Sequence, residues 1–121
     1  IQADDIRYHK TVEAVRKALF YKGLMYRYNS EDDFGMPSSA FTICTFWLIR
    51  GLFVTGRREE ARCLFDEVLK YANHLGLSSE DIDFNPKEQL GNFPQAYSHL
   101  ALVNTAILFA EEDRSLSFIR P

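Results

Sequence analysis

Only two cysteines occur in this 121-residue sequence, Cys44 and Cys63. They fall in segments that read as two different helices, with no C-x-x-C spacing and no histidine pattern beside them, so neither a metal site nor a cofactor is indicated. Both read as reduced thiols of a cytoplasmic protein. No uncharged run reaches the ~18–20 residues of a clear membrane span. Residues 93–110 come close, but Pro94 in second place and Gln95, Ser98, His99 and Asn104 within suit a buried helix of a soluble protein better. A basic excess is missing too: 14 Lys and Arg stand against 17 Asp and Glu, for a net charge of −3. Nucleic acid is therefore not an expected partner. There is no initial Met and no basic stretch ahead of an apolar one, so no signal peptide is visible and residues 1–121 are expected to be an excised piece.

What remains is the composition of a folded soluble chain, 46% hydrophobic, 26% charged and 14% aromatic, at a length that supports one core. Four helical segments stand out. Over residues 5–22, Tyr8, Val12, Val15 and Leu19 recur at steps of four, three and four, with Arg7, Lys10, Glu13, Arg16 and Lys17 off that face. Gly23 is expected to stop this helix. Residues 40–50 open with ten uncharged positions and show no polar face, which predicts a helix buried all round. Over residues 57–74 a stripe of Ala61, Leu64, Phe65, Val68, Leu69 and Ala72 opposes Arg58, Glu59, Arg62, Asp66 and Lys70. Residues 93–110 are again uncharged, with Asn92 and Pro94 as N-cap and first-turn residues.

Amphipathic and uncharged helices thus alternate, as they would in a two-layered ring whose outer and inner helices alternate along the chain. The links into the uncharged helices, residues 23–39 and 74–91, are long, and the link around residues 51–56 is short. Both long loops then lie at one end, where the inner helices begin and where sites are usually built. Two inner helices cannot close a ring. They would leave a broad apolar surface, so either a partner covers it or the rest of the chain is absent, and with an incomplete ring the isolated chain is expected to self-associate.

The segment richest in chemistry is Gly76-Leu77-Ser78-Ser79-Glu80-Asp81-Ile82-Asp83, ahead of a helix that opens with Asn92, Gln95 and His99. A carboxylate on that rim, near an uncharged wall, can act as a base toward water. By spacing alone the same residues also read as a solvated acidic loop, with Ser78 and Asp81 as a capping pair and His99 as a hydrogen-bonded core residue.

The stretches Ala40-Phe41-Thr42-Ile43-Cys44-Thr45-Phe46-Trp47-Leu48, Gly56-Arg57-Arg58-Glu59-Glu60-Ala61-Arg62-Cys63-Leu64-Phe65 and Gly91-Asn92-Phe93-Pro94-Gln95-Ala96-Tyr97-Ser98-His99-Leu100 resemble the last third of bacterial glycoside hydrolases of family 15, the glucoamylase-like and trehalase-like enzymes. The segment around Glu80 resembles the family's motif at its second catalytic carboxylate. The resemblance implies an all-α fold, part of an (α/α)6 toroid, and an inverting hydrolase of α-glucosidic bonds acting on trehalose or maltooligosaccharides. On this resemblance Glu80 is the general base, and Arg27-Tyr28 matches the family's sugar-binding Arg-Tyr pair, with Asp32 or Asp33 also near the sugar. Trp47, Asn92, Gln95 and His99 complete the expected substrate-binding set. A guanidinium can fork hydrogen bonds to sugar hydroxyls, and Tyr28, Phe46 or Trp47 can offer a face to the ring.

Two departures stand against this likeness. Ser38-Ser39 replaces the family's Glu-Gly, which touches on substrate specificity. Nothing here resembles the family's general acid, and inverting hydrolysis needs both carboxyls, ~6.5–9.5 Å apart. The chain alone is therefore expected to be inactive. Two other readings stay open: a saccharide-binding relative that does not cleave, and a helical-repeat interaction module, since residues 56–69 resemble one tetratricopeptide helix. The repeat of ~34 residues that the module requires is not seen.

Overall fold

The computed structural model describes residues 3–117. Helix α1, Ile6–Leu19, begins where the Asp5 carboxylate accepts the Arg7 backbone N–H at 2.8 Å and ends three residues earlier than its periodicity predicts. The reason lies in Lys22 and Gly23, both with positive φ (47° and 84°). That pair makes the two-residue turn of a hairpin, so Phe20–Tyr21 (β1) and Leu24–Met25 (β2) pair as antiparallel strands.

The remaining elements are β3 (Ser39–Phe41), α2 (Thr42–Val54), α3 (Arg58–Leu69), β4 (Asp81–Asp83), β5 (Gln89–Leu90) and α4 (Ala96–Ser117). The described residues therefore form four helices, in keeping with the expected (α/α)6 fragment, with short strands at one end. Strands β3, β4 and β5 form an antiparallel sheet in that order, with Ser39 opposite Asp83, Ala40 opposite Ile82 and Phe41 opposite Asp81. Side chains alternate across a sheet. Ala40 and Ile82 enter the core, so Ser39, Phe41 and Asp81 share the opposite face.

Helix α2 is the axis of the core. It packs on α3 and α4, and its Phe46, Ile49 and Leu52 are fully buried, each contributing roughly 1.5–3 kcal/mol of apolar burial. Phe46 meets Phe65 of α3 with ring centroids 6.2 Å apart, Phe65 meets Phe109 of α4 at 5.2 Å, and Phe109 meets Phe53 of α2 at 5.2 Å. Gly51 lies buried inside α2 because α1 crosses there: a Cβ at Gly51 would stand 3.2 Å from Val12. Arg57 ties the periphery, pairing with Glu13 of α1 and Glu60 of α3. Among the described residues no helix is long and apolar enough to cross a membrane.

Three expectations need correction. The uncharged helices are not buried on all sides: Trp47 of α2 is 55% exposed, and on α4 Tyr97, Leu100 and Val103 are 61%, 59% and 51% exposed. These apolar faces are exposed because no other element among the described residues covers them. The stripe of α1 contains no buried residue. Tyr8, Val12, Val15 and Leu19 instead line an apolar cavity of about 290 Å³ against Cys44, Trp47 and Leu48 of α2. Finally, α4 starts at Ala96, not Phe93. The Phe93–Pro94 peptide is cis, and the first helical bond runs from His99 N–H to the Gln95 carbonyl.

Candidate functional site

Arg27 and Tyr28 follow directly from the hairpin. The Met25 N–H donates to the buried Thr45 hydroxyl at 3.0 Å, which ties β2 to α2, and the Tyr26 N–H donates to the Leu19 carbonyl at 2.9 Å. The next two residues are thereby delivered to the rim beside the start of α2. Arg27 lays its guanidinium over the Phe41 ring, 5.4 Å from the centroid. The Tyr28 hydroxyl donates to the Asp32 carboxylate, which also accepts the Phe34 N–H at 2.8 Å. That hydroxyl raises the Tyr28 pKa and lowers the Asp32 pKa, because the bond favours phenol over phenolate and carboxylate over acid.

Glu80 reaches the same rim from the other long loop. Asn73 accepts the N–H groups of Leu75 and Leu77 at its side-chain oxygen, closing the loop after α3. The first turn of α4 then grips the next two residues: Ser78 N–H donates to His99 Nε2 at 3.0 Å, the Gln95 N–H donates to the Ser78 carbonyl at 2.9 Å, and the Ser98 hydroxyl donates to the Ser79 carbonyl at 2.8 Å. Glu80 itself is held on both sides. Its carbonyl accepts the Thr42 N–H at the start of α2, and its N–H donates to the Asn92 carbonyl, both at 2.9 Å. The carboxylate is aimed by Asn92, whose side-chain Nδ2 and backbone N–H donate to Glu80 Oε2 at 2.7 and 3.2 Å.

Gly91 lets this happen. Its φ is +74°, and a Cβ there would stand 3.1 Å from Glu80 Oε2 and 3.3 Å from Glu80 Cβ.

These residues share an open cleft of about 580 Å³ lined by Arg27, Tyr28, Phe34, Pro37, Ser39, Phe41, Glu80 and Asp81. Within it the half-buried Asp81 is the perturbed acid. Burial pushes its carboxyl above the usual range, the Ser39 hydroxyl pulls it down, the neighbouring Glu80 charge adds to the rise, and Arg27 opposes it. The Ser39 hydroxyl donates to Asp81 Oδ2 at 2.7 Å.

Of the residues expected at the site, the fold brings Glu80, Arg27 and Tyr28 into this cleft, and Asn92 contacts Glu80 from behind. Trp47 lines the separate cavity under α1, where Arg27 forms part of the rim. Gln95 and His99 hold the Ser78 backbone. Asp33 is exposed and Asp32 is engaged by Tyr28. Sequence reasoning passed over Ser39, Phe41 and Asp81 as cleft residues. The alternation polar-Ala-Phe and Asp-Ile-Asp was the available signal, too short to announce a sheet by itself.

Residues 54–107 match the family model of glycosyl hydrolases family 15. The chain is 39% identical to a trehalase of Mycolicibacterium smegmatis over 97% of its own length and 18% of that relative. It is 39% identical to a trehalase of Thermoplasma volcanium over 88% of the chain and 17% of the relative. A trehalase of Mycobacterium tuberculosis is 38% identical over 94% of the chain and 18% of the relative. No solved structure matches the chain significantly.

Proposed function

Because the chain belongs to the glycosyl hydrolases of family 15 while spanning 18% of the length of the Mycolicibacterium smegmatis trehalase, we propose that it supplies the general-base half of an inverting α-glucosidase site, acting on trehalose or a similar α-glucoside. The observation that carries this reading is the Glu80 carboxylate, held by the two donors of Asn92 in a cleft that it shares with Arg27.

The chemistry assigned to the cleft follows from its parts. A water bound at Glu80 gives its proton to the carboxylate as its oxygen attacks the anomeric carbon from the face opposite the departing sugar, and the configuration inverts. The Asn92 donors fix the carboxylate without protonating it, so one lone pair remains directed at water. Arg27, oriented by Phe41, donates to sugar hydroxyls, and the ring faces of Phe41 and Tyr28 border the pyranose. The proton for the leaving sugar comes from a second carboxyl outside these residues.

Two assays test this. In the full-length protein carrying this segment, Glu80→Gln keeps the size and the Asn92 contact but cannot accept the water's proton, so kcat on trehalose should fall by roughly 10²–10⁴-fold while KM changes little. The 121-residue chain alone should release no glucose from trehalose or maltooligosaccharides. An unimpaired Glu80→Gln enzyme, a product of retained configuration, or activity of the chain alone would each refute the assignment.

A further inference from the structure

We infer that Asp81, held by Ser39 on the sheet floor of the Glu80 cleft, is a specificity-determining acceptor for one hydroxyl of the sugar bound there. This rests on the glycosidase reading above and adds to it a residue and a task.

The first ground is placement. Strand alternation sends Ala40 and Ile82 into the core and leaves Ser39, Phe41 and Asp81 on the cleft side. The second is the Ser39–Asp81 bond itself, which the fold does not require. Strands β3 and β4 are already paired through three successive residue pairs, and the bond adds nothing to their register. What it does is fix one carboxylate oxygen, Oδ2, and with it the orientation of the other. Among the described residues no hydrogen bond engages Oδ1.

The third ground is chemical. Asp81 Oδ1 is not among the enclosed side-chain atoms that lack a partner, so it opens toward the cleft, where a ligand O–H can donate to it in a charge-assisted bond. Arg27 does not hydrogen-bond to Asp81 although it lines the same cleft. A pyranose presents hydroxyls that both donate and accept. Arg27 can serve only the accepting ones, and Glu80 Oε2 is occupied by Asn92, its remaining capacity being reserved for water. Asp81 is the charged acceptor left over for a sugar O–H. A site built to accept such a hydroxyl rejects an analogue lacking it, since its own polar group is then left unpaired.

The experiment compares wild-type, Asp81→Asn and Ser39→Ala forms of the full-length protein on trehalose and on its 2-, 3-, 4- and 6-deoxy analogues, with thermal melting to show that each variant is folded. Asp81→Asn should lower kcat/KM on trehalose by roughly 10- to 100-fold, mainly through KM, and Ser39→Ala by a smaller factor in the same direction. For one deoxy analogue the wild type and Asp81→Asn should converge, because the hydroxyl that Asp81 reads is already gone. The same factor on trehalose and on every analogue would mean that Asp81 supports only the fold, and would overturn the inference. So would a variant with unchanged kcat/KM. A wild-type protein that cleaves no α-glucoside would overturn the glycosidase reading and this inference with it, whereas an active wild type without convergence overturns the inference alone.

Discussion

Replacing Gly91 by alanine tests the site and the local backbone together. At φ +74° an alanine sits in the left-handed region, at a cost of roughly 1–2 kcal/mol, offset by ~0.4–1 kcal/mol because alanine has less freedom to lose from the unfolded chain. A net destabilisation of up to ~1.6 kcal/mol is expected from the backbone alone. The new methyl also stands 3.1 Å from Glu80 Oε2 and 3.3 Å from Glu80 Cβ, inside the ~3.5–4.0 Å of comfortable carbon contact. The Glu80 backbone cannot retreat, being bonded to Thr42 on one side and Asn92 on the other, so the side chain must swing off Asn92 by several tenths of an ångström. Since ~1 Å of misplacement costs about 10²-fold in rate, kcat of the full-length protein should fall roughly tenfold with KM little altered. Urea denaturation and steady-state kinetics measure the two effects separately. Full kcat in a measurably destabilised Gly91→Ala protein would refute the claim that the Asn92-held position of Glu80 is the working one.

Three further outcomes are expected. His99→Ala leaves the Ser78 N–H without its acceptor and should cost about 1–3 kcal/mol by denaturation; no loss would mean that water replaces the ring. For Asp81, whose folded pKa is raised, the folded state holds its proton more tightly than the unfolded one, so its contribution to stability declines as pH rises from the ordinary carboxylate value near ~4 through the higher folded value. The stability of Asp81→Asn relative to wild type should therefore improve across that window and level off above it, and a difference independent of pH, in paired denaturation curves, would contradict the shift. The exposed Leu100 and Val103 of α4 should make the 121-residue chain self-associate in sedimentation, and Leu100→Lys with Val103→Lys should shift it toward monomer; a wild-type chain already monomeric would count against this.

The helices were legible because their signals are long. Of the α3 stripe, Ala61, Phe65 and Val68 are buried as the periodicity predicts, whereas Leu69 is exposed and the helix ends there, short of Ala72 and of the expected residue 74. The α2 run was legible as core but not Trp47, whose exposure depends on which neighbours are present, something no local pattern records. The strands were missed for a physical reason: two or three residues carry too few alternations to distinguish a pleat from a loop, and β3 runs straight into α2. The Asn92–Pro94 signal was misread as a cap because Asn92 has a stronger commitment to the Glu80 carboxylate. Glu80 was singled out only by likeness to a family motif, since its acidic neighbours Asp81 and Asp83 look the same in composition. Only the fold separates them, giving Glu80 to Asn92 and Asp81 to Ser39.

The two main-chain bonds of Glu80 have a consequence for how this region can vary. Thr42 opens α2 and Asn92 leads into α4, so the starts of both helices are gauged from the backbone of a single residue. Gaining or losing one residue between Ser79 and Ile82 would turn every later side chain of β4 over, sending Ile82 outward and an aspartate into the core. The stretch from Asn29 to Met36, exposed along most of its length, pairs within itself at Asp32 and Gly35 and gauges no helix, so it can lengthen outside that pair at little energetic cost. Changes in chain length are therefore better tolerated on the Tyr28 side of the cleft than on the Glu80 side, so that one wall can be rebuilt while the opposite wall keeps its register.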